Sequence, residues 1–286
     1  MSSIVVEICN LNDPRLVDCL TGIALQKPLP DRVLIADGGS SEEYLKSLIS
    51  RVKNDELLSK LSIDLKQYPG TQTVTRQLSI KDLKEDITVF LDADEVPVEG
   101  WLHALTEPIL SGEADFTGGR VMSVIGADNF FTSYYRLLEE HIYEEDLKHG
   151  IAYMPLGNTA WKTEILKKLQ FDLRLVRAPG EAEDYDLEMR AIAAGFRGKY
   201  VPGALVRHYQ RIPSTYWNLI KKRYDYLVGA STVMVKNGWI RRRIGERRRR
   251  VNHPFAVVEA LLKPVALLHG AVRWHIVQHS RKGETV

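Results

Sequence analysis

Cysteine is almost missing from this 286-residue chain. Cys9 and Cys19 are its two examples, so a disulfide framework and a cysteine-based zinc site are both excluded. A reducing, cytoplasmic setting is the expectation. A basic leader is missing too: MSSIVVEICNLNDP carries Glu7 inside its first apolar run and reads as a strand rather than a signal peptide. Neither GxGxxG nor GxxxxGK[ST] occurs, which removes the dinucleotide fingerprint and the Walker loop. No stretch reaches the roughly 18 uncharged apolar residues of a spanning helix. Residues 254–279 come nearest, interrupted by Glu259, Lys263, Pro264, His269 and Arg273. No repeat or low-complexity segment is present apart from the arginine clusters of RRRIGERRRR.

What is there is ordinary in bulk and uneven in charge. Hydrophobic residues make up 44% and charged residues 27%, enough to bury the core of one large α/β domain or two small ones. The net charge of +2 hides a basic tail: residues 241–286 hold eleven Lys and Arg against three Glu, so the preceding 240 residues are net acidic. Such a tail suits phosphate-bearing partners, whether a membrane surface, a nucleic acid or a lipid diphosphate.

Short apolar runs alternate with helical patterns through the first half. Strands are expected over 4–9, 32–36, 61–65 and 86–91, with helices from 13 to 25 and after Ser40 or Ser41, where Glu42 and Glu43 favour the first turn. Further strands are expected over 114–123 and 199–206, and helices over 181–194 and 214–236. Strands alternating with helices imply parallel crossovers, and such sheets bind ligands at the carboxyl ends of their strands. Pro264 is expected to kink or end a last helix that starts at Pro254.

Four constellations carry chemistry. Asp92 and Asp94 follow the buried run Val89–Leu91; on a continuing strand they point to one side and offer hard oxygens to Mg2+ or Mn2+. An exposed acidic turn has the same letters. Asp37-Gly38-Gly39-Ser40 offers a close backbone approach and a carboxylate for a base or ribose, or simply a capped turn. Glu183, Asp184 and Asp186 stand at a helix start, where one carboxylate can serve as a general base and where acidic residues also favour the helix dipole. His208 ends a strand, either as a solvated histidine or as a metal-binding imidazole. Glu95 is expected at the rim.

Taken in order, the motifs resemble the family 2 glycosyltransferases, inverting enzymes of the GT-A fold. VLIADGGSSEE is similar to the nucleotide-binding strand and turn of that family, and TVTRQLSI to its arginine segment, with Gln77 where asparagine is usual. VFLDADEVPVEGWL looks like the metal-binding stretch and MPLGNTAWKTEIL like an acceptor-side segment. EAEDYDLEMRAIAAGF resembles the ED motif, and YVPGALVRHY the strand that ends in histidine. Six motifs across about residues 3–210 are far more specific than any one.

The resemblance implies a Rossmann-like, mostly parallel α/β sheet flanked by helices over 1–212, and a basic helical extension over 213–286. It implies that Asp37 binds the nucleotide of a UDP- or GDP-sugar, with Glu7, Asn10, Arg76 and Asp92 beside it. Asp94, Asp92 and His208 would hold Mn2+ or Mg2+, Asp184 would deprotonate the acceptor hydroxyl, and Asn158, Trp161 and Glu183 would lie on the acceptor side. The first strand ends in ICNLNDP rather than the family's usual pattern, which leaves UDP and GDP both open.

The tail offers an apolar face, Phe255, Val258, Leu261, Leu262, Val265 and Leu268, behind seven arginines. That combination fits an interfacial helix on anionic lipid at the cytoplasmic face, and equally a helix packed on the domain or on a sister subunit. A membrane position would make a polyprenyl-linked glycan the natural acceptor; specific nucleic acid is not expected. A nucleotidyltransferase shares fold and carboxylates but needs a glycine-rich basic loop after the first strand, and residues 11–15 contain no glycine. A non-catalytic membrane or nucleic-acid binder built on the tail is the other class.

Overall fold

The computed structural model describes residues 2–149, 154–176, 182–238 and 251–280, with side chains from 140 to 149 and at 280 left aside. The arginine run at 241–250 falls outside these residues. The chain divides into two compact units. The first comprises Met1–Val124, His149–Phe171 and Ala191–Gln210; the second comprises Ile125–Lys148, Asp172–Arg190 and Arg211–Val286.

Within the first unit, β1 (Ile4–Asn10), β2 (Arg32–Asp37), β3 (Ile63–Gln67) and β4 (Ile87–Asp92) are parallel, and α1 (Leu16–Ala24), α2 (Glu42–Asn54) and α3 (Gln72–Ser79) connect them. The central strands are buried on both faces, which is why IVVEI and VLIA read as continuous apolar runs. On α1, Leu16, Cys19, Leu20 and Ile23 are fully buried at helical spacing, so one stripe of the helix lies on the core. Ser41, not Ser40, caps α2 by accepting from the amide of Tyr44.

The second half of the sheet is mixed. It holds β5 (Glu95–Pro97), β6 (Phe116–Ser123), β7 (Asn158–Lys162) and β8 (Gly198–His208), in the overall order β3-β2-β1-β4-β7-β6-β8-β5. The strand β7 runs antiparallel between β4 and β6, and β5 runs antiparallel against β8. Two helices, α4 (Trp101–Leu110) and α6 (Thr163–Leu169), complete the unit. The acceptor-like segment MPLGNTAWKTEIL thus contains a central strand. Its Trp161 is fully buried and stacks on Phe116, ring centroids 4.3 Å apart and nearly parallel.

In the second unit, α5 (Phe130–His149), α8 (Tyr216–Lys236) and α9 (Phe255–Ser280) enclose a separate core of Tyr134, Tyr135, Leu219 and Phe255. The polar, aromatic run NFFTSYYRLLEEH, which suggests no element as a sequence, is the start of α5. Glu259 lies buried between Arg223, 2.9 Å away, and the Tyr134 hydroxyl. Contrary to expectation, α9 runs through Pro264 without ending. Pro264 and Ala260 are both exposed, so water can satisfy the carbonyl that the proline leaves free.

Candidate functional site

Strand register brings the polar ends of the parallel strands to one level. Asn10 is opposite Asp37, Cys9 opposite Asp92, and Asp37 opposite Gln67. The carboxyl ends of β1, β2, β3 and β4 therefore form one rim, the ligand-binding edge of a parallel sheet.

Asp37 is fully buried at this rim and strongly held. One oxygen accepts from the amides of Ser40 at 2.8 Å and Gly39 at 3.1 Å, and from Gln67 Nε2 at 3.3 Å. The other accepts from Asn10 Nδ2 at 2.9 Å and from the Ser40 hydroxyl. Burial alone would raise this carboxyl, yet the hydrogen bonds from Ser40, Asn10 and Gly39 outweigh it and keep Asp37 below its ordinary value. Gly39 has φ +113°, a backbone state that side-chain-bearing residues rarely adopt, and this turn aims the amides back at Asp37.

The strand does not persist through the second carboxylate pair. The last residue of β4 is Asp92, and Ala93 and Asp94 form a turn, so the two aspartates meet different partners. Asp92 Oδ1 accepts from Gln72 Nε2 at 2.7 Å and Arg76 Nη2 at 2.5 Å. Asp94 Oδ2 lies 3.2 Å from His208 Nε2 and 3.2 Å from Arg15 Nη1. Pairing of β5 with β8 sets Glu95 opposite His208 and so carries the histidine to the aspartate.

Burial penalises every charge here, and the partners decide the outcome. For Asp94, burial raises the carboxyl, but His208 and Arg15 outweigh that and hold it low. For His208, burial lowers the imidazole, while the Asp94 hydrogen bond and the charges of Glu95, Asp94 and Asp92 lift it to about 9. Glu95, expected at the rim, is instead 1% exposed, with β8 paired along its strand and the Gly157 backbone packed against its carboxylate. Burial, with Asp92 and Asp94 close by, pushes it up to about 8.

Glu7 also lies deeper than its expected nucleotide-binding role suggests. It is fully buried mid-strand, accepts from Ser79 Oγ at 3.1 Å and stands 3.8 Å from Arg76 Nε. Burial raises it to about 7 despite Arg76 and Ser79. Glu7 thus balances the charge of Arg76, whose guanidinium lies over the Phe90 ring and reaches Asp92.

Asn158 is buried with its amide fully engaged. Its Oδ1 accepts from Trp101 Nε1 at 2.7 Å, and its Nδ2 donates to the carbonyls of Arg120 and Ala204 at 3.0 and 2.9 Å. Neither Asn158 nor Trp161 presents a side chain to solvent. Their neighbour Gly157 has the direct contact with the acidic cluster. A Cβ there would lie 2.6 Å from Glu95 Oε2 and 2.8 Å from Asp92 Oδ2. Gly157→Ala is therefore expected to destabilise the protein by about 1–3 kcal/mol. A thermal melt reads this, and an unchanged Tm would mean that the carboxylates have room to retreat.

Glu183 and Asp184 occupy the first turn of α7 (Glu183–Ala193), in the second unit. Asp184 Oδ1 accepts from the Tyr185 amide at 2.6 Å. Asp186 is fully buried and bound to Arg190 Nε at 2.8 Å and Lys236 Nζ at 2.6 Å. The Lys236–Asp186 pair ties α8 to α7, and Lys236 also lies 2.6 Å from Asp172 in the segment before α7. Of the three acidic residues, Asp186 is thereby engaged in packing, and the first turn carries the other two.

Sequence reasoning missed Arg15, Gly157 and the burial of Glu95. Only Arg15 had a signal, as the one basic side chain in the loop after β1. Among the described residues no three His, Cys, Asp or Glu side chains form a ready cage for a metal. Asp94 and His208 do fit a divalent cation in donor chemistry, a carboxylate oxygen and an imidazole nitrogen side by side. The guanidinium of Arg15 on the same oxygen shows that the position accepts positive charge.

Residues 3–224 match the model of a family described as glycosyltransferase like family 2. A pre-mycofactocin glycosyltransferase of Mycobacterium tuberculosis is 26% identical over 219 residues, which cover 73% of this chain and 42% of that protein. The chain thus spans about two fifths of the length of that curated relative. Among solved structures, the mannosyltransferase PcManGT from Pyrobaculum calidifontis, in complex with GDP-Man and Mn2+, aligns with TM-score 0.59 and 14% identity, covering all of this chain and 76% of that one. Glucosyl-3-phosphoglycerate synthase from Mycobacterium tuberculosis, in complex with Mn2+, UDP and glucosyl-3-phosphoglycerate, aligns with TM-score 0.54 and 18% identity over 83% of this chain and 80% of that one. These structures share the GT-A fold with this chain.

Proposed function

The chain belongs to the glycosyltransferase like family 2, and from that premise we propose that it is an inverting, metal-dependent transferase moving a sugar from a UDP- or GDP-sugar to a hydroxyl acceptor. The observation that carries this reading is the meeting of Asp94 and His208 at the strand-end rim that also holds Asp37. In both structural relatives cited above, Mn2+ accompanies a nucleotide.

Each residue has a role that its surroundings support. Asp37, held ionised and oriented by Asn10, accepts from the nucleotide base in place of Gln67 Nε2, its longest contact at 3.3 Å. Asp94 and His208 would hold Mn2+ or Mg2+, which would supply positive charge to the leaving diphosphate. Asp92, anchored by Arg76 and Gln72, serves as a positioned carboxylate toward the ribose or a water. Glu7 acts through Arg76 rather than by contact. Asp184 takes the proton of the acceptor hydroxyl, a role supported by its place in the ED motif at the first turn of α7. Asn158 and Trp161 act by fixing β7, and Glu183 stays on the acceptor side.

The test is a thermal-shift screen of UDP- and GDP-sugars with Mn2+. A true donor at one hundred times its Kd stabilises by about 2.7 kcal/mol. No shift with any donor, together with no Mn2+-dependent turnover, would overturn the proposal.

The acceptor reading rests on α9. Contrary to the sequence expectation, Phe255–His279 is long and apolar enough to cross a membrane by length and composition alone, an 18-residue window within it having mean hydropathy 1.6. One face, however, is used inside the protein: Phe255, Glu259, Ala266 and Trp274 are buried. The opposite face exposes Val257, Leu261, Val265, Leu268, Val272 and Ile276 at helical spacing. Seven arginines precede the helix in the sequence, so the same surface suits anionic lipid. This supports a peripheral position on a cytoplasmic membrane face and a polyprenyl-linked acceptor. Leu261→Glu with Leu268→Glu, both on the exposed face, is expected to weaken co-sedimentation with phosphatidylglycerol vesicles at least about tenfold. Equal sedimentation would leave α9 to a protein partner.

A further inference from the structure

Arg15 stands where the proposed metal site needs its charge removed. Its Nε and Nη2 fork the Asp13 carboxylate at 2.8 and 2.5 Å, which fixes the guanidinium. Its remaining nitrogen, Nη1, lies 3.2 Å from Asp94 Oδ2 and donates to the Tyr209 carbonyl at 2.5 Å. The amide of Tyr209 in turn donates to the Asp94 carbonyl at 2.9 Å, closing a small ring of contacts around the aspartate. The arginine side chain is one-third exposed, so the guanidinium as a rigid whole has solvent into which it can swing away from Asp94.

We propose that Arg15 is a built-in counter-cation for Asp94 that a divalent ion must displace, and that the diphosphate of the donor makes this exchange favourable. The inference rests on the metal reading of Asp94 and His208. Two cations cannot share one carboxylate oxygen without mutual repulsion. A metal arriving alone therefore strands the guanidinium beside it. When a diphosphate arrives as well, its tetrahedral phosphoryl groups offer Nη1 of Arg15 a new anionic oxygen in place of Asp94. Metal and nucleotide then bind together better than either binds singly. By reciprocity, each strengthens the other by the same factor. Arg15 is a positioning residue in the empty site and a phosphate contact in the filled one.

The experiment measures Mn2+ binding by electron paramagnetic resonance, first alone and then with UDP or GDP, on the wild-type chain, Arg15→Met and Arg15→Lys. Arg15→Met should bind Mn2+ alone about two- to fivefold more tightly, the scale of a partly exposed ion pair. The same variant should lose most of the enhancement that the nucleotide confers. Arg15→Lys keeps the charge and should behave nearer to wild type. Damage to the fold loosens metal binding, so tighter binding is a result that a merely structural role does not produce. Unchanged or weaker Mn2+ affinity in Arg15→Met would overturn the proposal. If the wild type binds no Mn2+ under any of these conditions, the metal reading itself fails and this inference falls with it.

Discussion

Asp94→Ala is expected to abolish Mn2+-dependent binding of UDP or GDP and to lower sugar transfer by about 10²–10³-fold or more. The magnitude follows from how much converges on one atom. Asp94 Oδ2 is the shared acceptor of His208 and Arg15, so its loss removes the carboxylate ligand and leaves two cationic groups facing each other. Neighbouring carboxylates do not replace it: Asp92 is anchored by Arg76 and Gln72, and Glu95 is buried against Gly157. The effect on stability should fall below the roughly 3–5 kcal/mol of a fully buried broken pair, because both Asp94 and Arg15 keep some solvent contact. Calorimetry with Mn2+ measures the loss directly, and unchanged nucleotide affinity in the variant would sink the metal assignment.

Asp184→Asn is expected to leave donor binding intact and to reduce transfer by about 10²–10⁴-fold, the usual contribution of a positioned base. The amide keeps the shape of the side chain and can still accept from the Tyr185 amide, so α7 should not unwind. Its deeper anchor, Asp186 with Lys236 and Arg190, is untouched. A chemical defect at constant affinity is therefore the signature, read as kcat falling while the donor-induced thermal shift persists. Full turnover in this variant would exclude Asp184 as the base and turn attention to its neighbour Glu183.

The parts of the fold that could be read from the sequence are those governed by local pattern. β1, β2 and β4 announce themselves as apolar runs buried on both faces, and DGGS and DADE mark where those runs stop. Asp37 and Asp94 were visible for the same reason. What stayed hidden depends on pairing across long stretches of chain. Glu95 looks like a rim residue because nothing near it in sequence shows that β8, more than one hundred residues later, will pair with its strand, or that Gly157 will pack against its carboxylate. β7 is short and buried almost throughout, so it lacks the alternation that marks a strand with one wet face. Glu7 was set beside the nucleotide by the resemblance, and its full burial within β1 is a matter of depth in the sheet that strand periodicity does not report. The uninterrupted course of α9 through Pro264 was hidden because a proline's cost depends on whether its freed carbonyl meets water, which is decided by packing.

The aligned register of the parallel strands has a further consequence for how this chain tolerates change in length. Asn10, Asp37 and Gln67 stand at one level, and Asp92 one residue back beside Cys9, only because β1, β2, β3 and β4 are counted correctly from their entry points. Successive residues of a strand face opposite sides, so a one-residue deletion between Arg32 and Ala36 would turn Asp37 to the wrong face of the sheet. An insertion between Asn54 and Asp55, where α2 gives way to a surface turn, would shift nothing at the rim. Lengthening this protein is a matter for its helix ends, while the strands leading to the rim must keep their count to the residue.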